Sequence, residues 1–465
     1  MRPFTRGTSL EVNAAQRFAE HALSLSADTV PQAAVAAAKA FLLDTLGVGI
    51  AGARANYSGE VLSVAEAWGP APQAAAMVLG RRVALPAHAA AFVNAFQIHC
   101  QEFDCVHEAA VVHPLATIVA ALMADTARLQ PVDGRTVLAA IIAGVDVAAG
   151  LGLAAQSALK FFRPATAGIF GSVAALARIR RLDVDTTVSA FGHALAFVSG
   201  TMQAHVEGKP GLALQIGNAA RNALVAVDLA VAGVPGVSRS IDGPFGYFSL
   251  LEDDADLTEV LAELGKRYRI VEVSHKPFPT GRAAHGALFA TQTLMAEHGV
   301  SAGNLESLSY RAPPLIYRLV GRRINASLSP NYARLCFAYL GAVVLLRGTL
   351  GLADFSAESL ADPEVHALAA RIEVIPDDNP DPAAFTPAVA TARLRDGSVA
   401  TVRVSNQPGS PESPLTWPQQ LAKFRACVEF GSGGRAGKAA FELPQLILAM
   451  ESESSVTNLW SKACF

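Results

Sequence analysis

The chain has 465 residues, of which 51% are hydrophobic and 17% charged, and its formal net charge is −3. That length and apolar content fit one very large or two ordinary domains around a sizeable core. The near balance of charge, with no basic run interleaved with aromatics, argues against a nucleic-acid partner.

The first ten residues hold too few apolar side chains for a secretory signal. Five cysteines (100, 105, 336, 427 and 464) then fit free thiols in a reducing compartment, so a cytoplasmic location is expected. Residues 8–52 read as helices: Leu10, Ala14, Phe18 and Ala22 recur at helical spacing, and so do Ala34, Ala38, Phe41, Leu42 and Leu46. Gly47, Gly49 and Gly52 thin or end the second helix. Residues 75–79 form a short apolar run, strand or helix start, and Pro86 opens a helix over 87–99. Further helices are expected over 116–127, from Val137 onward, and over 166–179, 188–202 and 216–232. The run 137–155 is the best membrane-span candidate. It contains Asp146 and follows helices of soluble type, so a buried core helix and no membrane partner are expected.

Near residue 267 the pattern changes. Residues 268–274 alternate like a half-buried strand, 281–298 read as a helix, and 305–311 and 371–375 as strands. Residues 388–395 and 398–405 alternate on either side of Asp396-Gly397, a strong hairpin signal. Helices return at 416–428 and 441–451. The expected fold is mainly α: a large all-helical domain begun by residues 1–266, a smaller α+β domain over 267–408, and C-terminal helices over 409–465 that rejoin the first.

The chemistry concentrates between Ile98 and Pro114, where His99, Glu102, Asp104, His107, Glu108 and His113 interrupt an Ala-, Val- and Leu-rich chain. Desolvating such groups is costly unless they pair, and carboxylates and imidazoles placed together shift each other's pKa towards neutrality. Metal binding is not expected. Cys100 and Cys105 with His99 and His107 match no zinc spacing, and no second cysteine pair is nearby. General acid–base work by Glu102, Asp104, His107 and His113 stands against capping and surface roles. Lys276, beside two prolines, is placed to aim a cation, or is a solvated loop lysine. Arg282 and His285 open a helix, and Arg163 precedes another, both anion-binding positions or plain first turns. Lys209 lies in a Gly-Lys-Pro-Gly loop, and Tyr317 offers a phenol or simple packing. There is no Gly-x-Ser-x-Gly elbow, Walker loop or dinucleotide fingerprint.

Several stretches stand out together: Phe41-Leu-Leu-Asp-Thr-Leu-Gly-Val-Gly-Ile-Ala-Gly52, Glu102-Phe-Asp-Cys-Val-His with His113-Pro114, and Phe162-Arg-Pro-Ala-Thr-Ala-Gly-Ile-Phe-Gly171. Gly217-Asn-Ala-Ala-Arg221, Asp242-Gly-Pro-Phe-Gly246, Lys276-Pro-Phe-Pro279 and Lys423-Phe424 continue the series. Together they resemble the MmgE/PrpD family, which includes 2-methylcitrate dehydratase, cis-aconitate decarboxylase and iminodisuccinate epimerase. The resemblance implies a helical domain with an α+β lid, a homodimer, and a cleft site with no metal or organic cofactor. Carried over by position, it makes His113, Lys276, Tyr317, Glu102 and Asp104 catalytic candidates. His107, Arg163, Lys209, Arg282 and His285 are the candidates for substrate binding. The decarboxylase-like pattern differs at three places: it has His-Pro at Arg163-Pro164, Thr-Lys at Gly211-Leu212, and a His at Gly281. The chemistry implied is proton abstraction next to a carboxylate of a small di- or tricarboxylate. A dehydratase-like lyase is expected, with an epimerase of an amino- or imino-dicarboxylate and an inactive binding protein as alternatives.

Overall fold

A computed structural model describes residues 13–129, 131–325, 327–381, 384–435 and 438–465. The fold is mainly α, a large helical body carrying a smaller α+β unit. Two hydrophobic cores organise it. The larger runs from Ala14 to Val273 and resumes from Phe424 to Ala463, and the smaller runs from Phe278 to Val404.

Two helices of 21 residues, Gln32–Gly52 and Gly134–Ala154, run through the large core. Either is apolar and long enough to cross a bilayer, yet 72% and 94% of their apolar windows are buried by the rest of the protein. Asp133 caps the second by accepting a hydrogen bond from the Thr136 N–H at 2.8 Å. Gly144 lets this helix meet Gly168–Arg180 backbone to backbone, since a Cβ there would fall 2.7 Å from the Gly171 carbonyl oxygen.

The smaller unit is built on a four-stranded sheet. Leu305–Ala312 pairs in parallel with Ile372–Pro376 and antiparallel with Ala388–Leu394, which pairs antiparallel with Val399–Val404. Gly397, at φ 87°, makes the expected tight turn of the last hairpin. The helix His285–His298 lies against these last two strands.

Several predicted elements differ. The alternation over Tyr268–Ser274 is not a strand but a 3-10 turn, Arg269–Glu272. Ile270 and Val273 fill the large core, and the Arg269 N–H donates to Asp146 Oδ1 at 2.7 Å, so the segment lies on the helical body. The predicted helix 441–451 is broken into Lys438–Glu442, Leu443–Leu448 and Met450–Ser452, with Pro444 removing a backbone donor. The run 75–79 contributes a two-residue strand, Ala76–Met77, paired with Ala84–Leu85. The first helix is Ala14–Ser24, and Leu10 lies outside the described residues.

Candidate active site

The polar stretch is the connection between the helices Ala87–His99 and Pro114–Thr126. It is pinned on both sides. Val106 and Ser274 exchange backbone hydrogen bonds at 3.1 and 2.8 Å, and His107 and Val112 close a small hairpin inside the loop. Lys423, on the returning helix Trp417–Ser432, donates to the Phe103 carbonyl at 2.9 Å and pairs with Asp44 at 2.7 Å. His275 stacks on Phe41 at 4.3 Å, which fixes the backbone just before Lys276.

Asp104 is the hub. Its Oδ2 lies 3.0 Å from the Nδ1 atoms of both His99 and His113, and its Oδ1 lies 3.8 Å from Lys276 Nζ. Lys276 is fully buried and donates to the Glu102 carbonyl and carboxylate at 3.1 and 3.2 Å. Glu102 sits in the left-handed region at φ 52°, a conformation that costs a non-glycine residue roughly 1–2 kcal/mol and here turns its carboxylate onto the lysine. His113 precedes Pro114 at the start of its helix, where the proline ring is tolerated.

The environments push the two imidazoles apart. Burial lowers the His113 pKa, with Lys276 and His99 adding to the effect against the pull of Asp104. Burial would also lower His99, but the charge and hydrogen bond of Asp104, with Glu102 behind them, raise it. Burial would raise both carboxyls. Lys276, His99 and His113 instead bring Glu102 down to about 2, and His113, His99 and Lys276 hold Asp104 well below its ordinary value. The cluster therefore presents ionised carboxylates, a neutral imidazole and a more basic one side by side. His99, Asp104 and His113 are close enough to chelate a cation, but Lys276 already brings positive charge against that carboxylate.

Two adjoining cavities meet this cluster. His113 and Glu102 line one, His99 and Glu102 the other, and His205 lines both. His205, on the short helix Gln203–Glu207, carried no sequence signal beyond its nearness to the Gly-Lys-Pro-Gly loop. Burial and Arg322, whose guanidinium lies 3.2 Å from its Nδ1, lower it to about 4.

Of the residues singled out in the sequence, Glu102, Asp104, His113 and Lys276 come together. Lys276 lies behind Glu102 and lines neither cavity, so it is a positioning cation rather than a wall of the site. Lys209 lines the second cavity. Arg282 lines the first, but Glu108 accepts from its Nε at 2.7 Å and its other nitrogens donate to the carbonyls of His275, Gln407 and Pro408. It therefore has no free fork for a carboxylate. His285 is fully buried, 3.2 Å from the Thr280 carbonyl oxygen, and is not a substrate contact.

Three further expectations are corrected. Arg163 turns into the protein, binding Glu252 through Nε and a terminal nitrogen at 2.8 and 2.9 Å, because burial of both groups makes that pair obligatory. His107 pairs with Glu272 at 2.9 Å and accepts from the Ala110 N–H, which uses both ring nitrogens in holding the loop. Tyr317 is 47% exposed on the helix Pro314–Val320 and lines neither cavity.

Comparison with known proteins agrees with this architecture. The MmgE/PrpD N-terminal domain profile matches residues 16–260, and the C-terminal domain profile matches residues 278–441. The chain belongs to the MmgE/PrpD family. Among curated MmgE/PrpD relatives, it is 27% identical over 407 residues to the cis-aconitate decarboxylase of Mus musculus, covering 83% of this chain and 81% of that one. The Homo sapiens cis-aconitate decarboxylase is 26% identical over 410 residues, with 83% and 82% covered. The cis-aconitate decarboxylase-like protein oryM of Aspergillus oryzae is 24% identical over 472 residues, with 94% of each chain covered. These similarities place the chain in a family of lyase type acting on carboxylates.

Proposed function

We propose that this protein is a cofactor-independent lyase that removes a proton from the carbon next to a carboxylate of a small acid, with elimination of a hydroxyl as water. The observation that carries the reading is the shared Asp104 oxygen. It lies 3.0 Å from the Nδ1 atoms of two imidazoles whose ring centroids are 4.9 Å apart and whose pKa values are displaced in opposite directions. His113, neutral near pH 7, is the base. His99, the more basic ring, is the proton donor for the leaving oxygen. The electron pair of the broken C–H bond becomes the new C=C bond, and the hydroxyl leaves with the proton from His99. Asp104 orients both rings, and Lys276 keeps Glu102 and Asp104 ionised and in place.

Decarboxylation of cis-aconitate, the activity in the relatives' names, is not extended to this chain. Arg163 is committed to Glu252, and Leu212 and Gly281 bring no charge to the cavity. An epimerase is the second reading. It needs acid–base groups on opposite faces of the substrate, and His205 is the imidazole that could supply the second one.

A thermal-shift screen of hydroxy- and amino-di- and tricarboxylates, followed by proton NMR of the hits in D₂O, tests the proposal. A lyase forms an alkene and releases water. Deuterium uptake with a new diastereomer and no loss of water would replace it with the epimerase, and a stabilising acid that neither exchanges nor reacts would contradict both.

A further inference from the structure

The two cavities beside Glu102 are chemically unlike. One is walled by Asn56, His99, Glu102, His205, Lys209 and Asn331. The other, of about 80 Å³, lies beyond His113 among Leu159, Phe162, Met202, Leu319, Val320 and Phe385. Glu102, His205, Leu212 and Leu335 form the boundary common to both. Among the described residues lining the apolar chamber, Arg282 is the one Lys or Arg, and its donors are taken by Glu108 and by backbone carbonyls. Arg163, between the lining residues Phe162 and Pro164, is turned away onto Glu252. Leu212 and Gly281 complete the wall without adding a hydrogen-bonding side chain. A carboxylate pushed into this chamber would give up its hydration with no counter-ion to replace it, whereas an alkyl group would gain burial.

We propose that the substrate is an amphipathic acid, with its carboxylates in the polar chamber near Lys209 and an alkyl substituent of several carbons in the apolar chamber beyond His113. Leu212, at the boundary, sets that preference. The proposal rests on the lyase reading only for where the reacting carbon lies, between the two chambers.

Isothermal titration calorimetry of the full chain with succinate and with 2-butylsuccinate tests it. The butyl acid is expected to bind at least about tenfold more tightly, since a single methylene in an apolar pocket can be worth that factor. Leu212→Phe, which narrows the apolar chamber, should bring the butyl-to-succinate affinity ratio down to about one. If that variant does not fold, the wild-type ratio decides alone. Equal binding, tighter binding of succinate, or no measurable binding of either acid would overturn the proposal. Calorimetry does not read proton transfer. Butyl selectivity without C–H exchange in D₂O would therefore remove the lyase reading and leave the ligand class standing, and exchange without butyl selectivity would do the reverse.

Discussion

Two ionic clusters can be compared, one around the buried Asp125 that reaches the surface at Asp228 and one buried around Asp104. Around Asp125, Arg128 and Arg180 donate to both carboxylate oxygens at 2.6–2.7 Å and share Asp228 at 2.9–3.0 Å. Around Asp104, by contrast, His99 Nε2, Asp104 Oδ1 and His113 Nδ1 are buried without a well-formed hydrogen bond among the described residues. The first cluster is closed on itself, and its charges hold helices together. The second keeps polar capacity in reserve beside a cavity. Satisfied ion pairs mark architecture, and unsatisfied ones next to a cavity mark chemistry.

Mutations should separate the two. His113→Ala is expected to lower turnover by roughly 10²–10⁴-fold with little change in melting temperature, since the ring is at the cavity edge and Asp104 keeps His99 and Lys276. Lys276→Met should cost about 3–5 kcal/mol in chemical denaturation, because it removes the cation paired with Glu102 and leaves Asp104 only its two imidazoles. Asp125→Asn should also destabilise, by about 3 kcal/mol, yet leave turnover per folded molecule unchanged, the mirror image of His113→Ala. The pH profile of kcat/KM should be bell-shaped. Its ascending limb should lie below pH 6.5, where His113 must lose its proton, and its descending limb above pH 6.5, where His99 must keep one, with about tenfold per pH unit on each. A profile with no descending limb would remove His99 as the acid. Tyr317→Phe, on the exposed helix face, should alter neither stability nor turnover beyond about 0.5 kcal/mol.

Much of the reacting cluster was legible in the sequence because Glu102, Asp104 and His113 fall within one short stretch, where several titratable groups in apolar surroundings need partners. Lys276 joined them only through the family resemblance of Lys276-Pro-Phe-Pro279, since on its own that motif fits a loop lysine. What sequence could not supply was which charges are already spent. Arg163 sits at a helix start like an anion site, but Glu252, 89 residues later, occupies it. Arg282 is likewise committed to Glu108 across the two units. His205 was invisible, because only the packing of Gln203–Glu207 beside Glu102 brings it to the cavities. The misread strand at 268–274 has the same origin: its alternation is real, but Asp146 from a distant helix captures its backbone and the segment turns instead. Most helices followed local periodicity, whereas this segment and the commitment of side chains followed long-range pairing.

The most direct test uses the carboxylic acid that best raises the melting temperature, incubated in D₂O with wild-type protein and with His113→Gln, while proton NMR follows deuterium entering the carbon beside the carboxylate. The account predicts rapid exchange with the wild type and a loss of about 10²-fold or more in the variant. Equal exchange rates in the two proteins would contradict it.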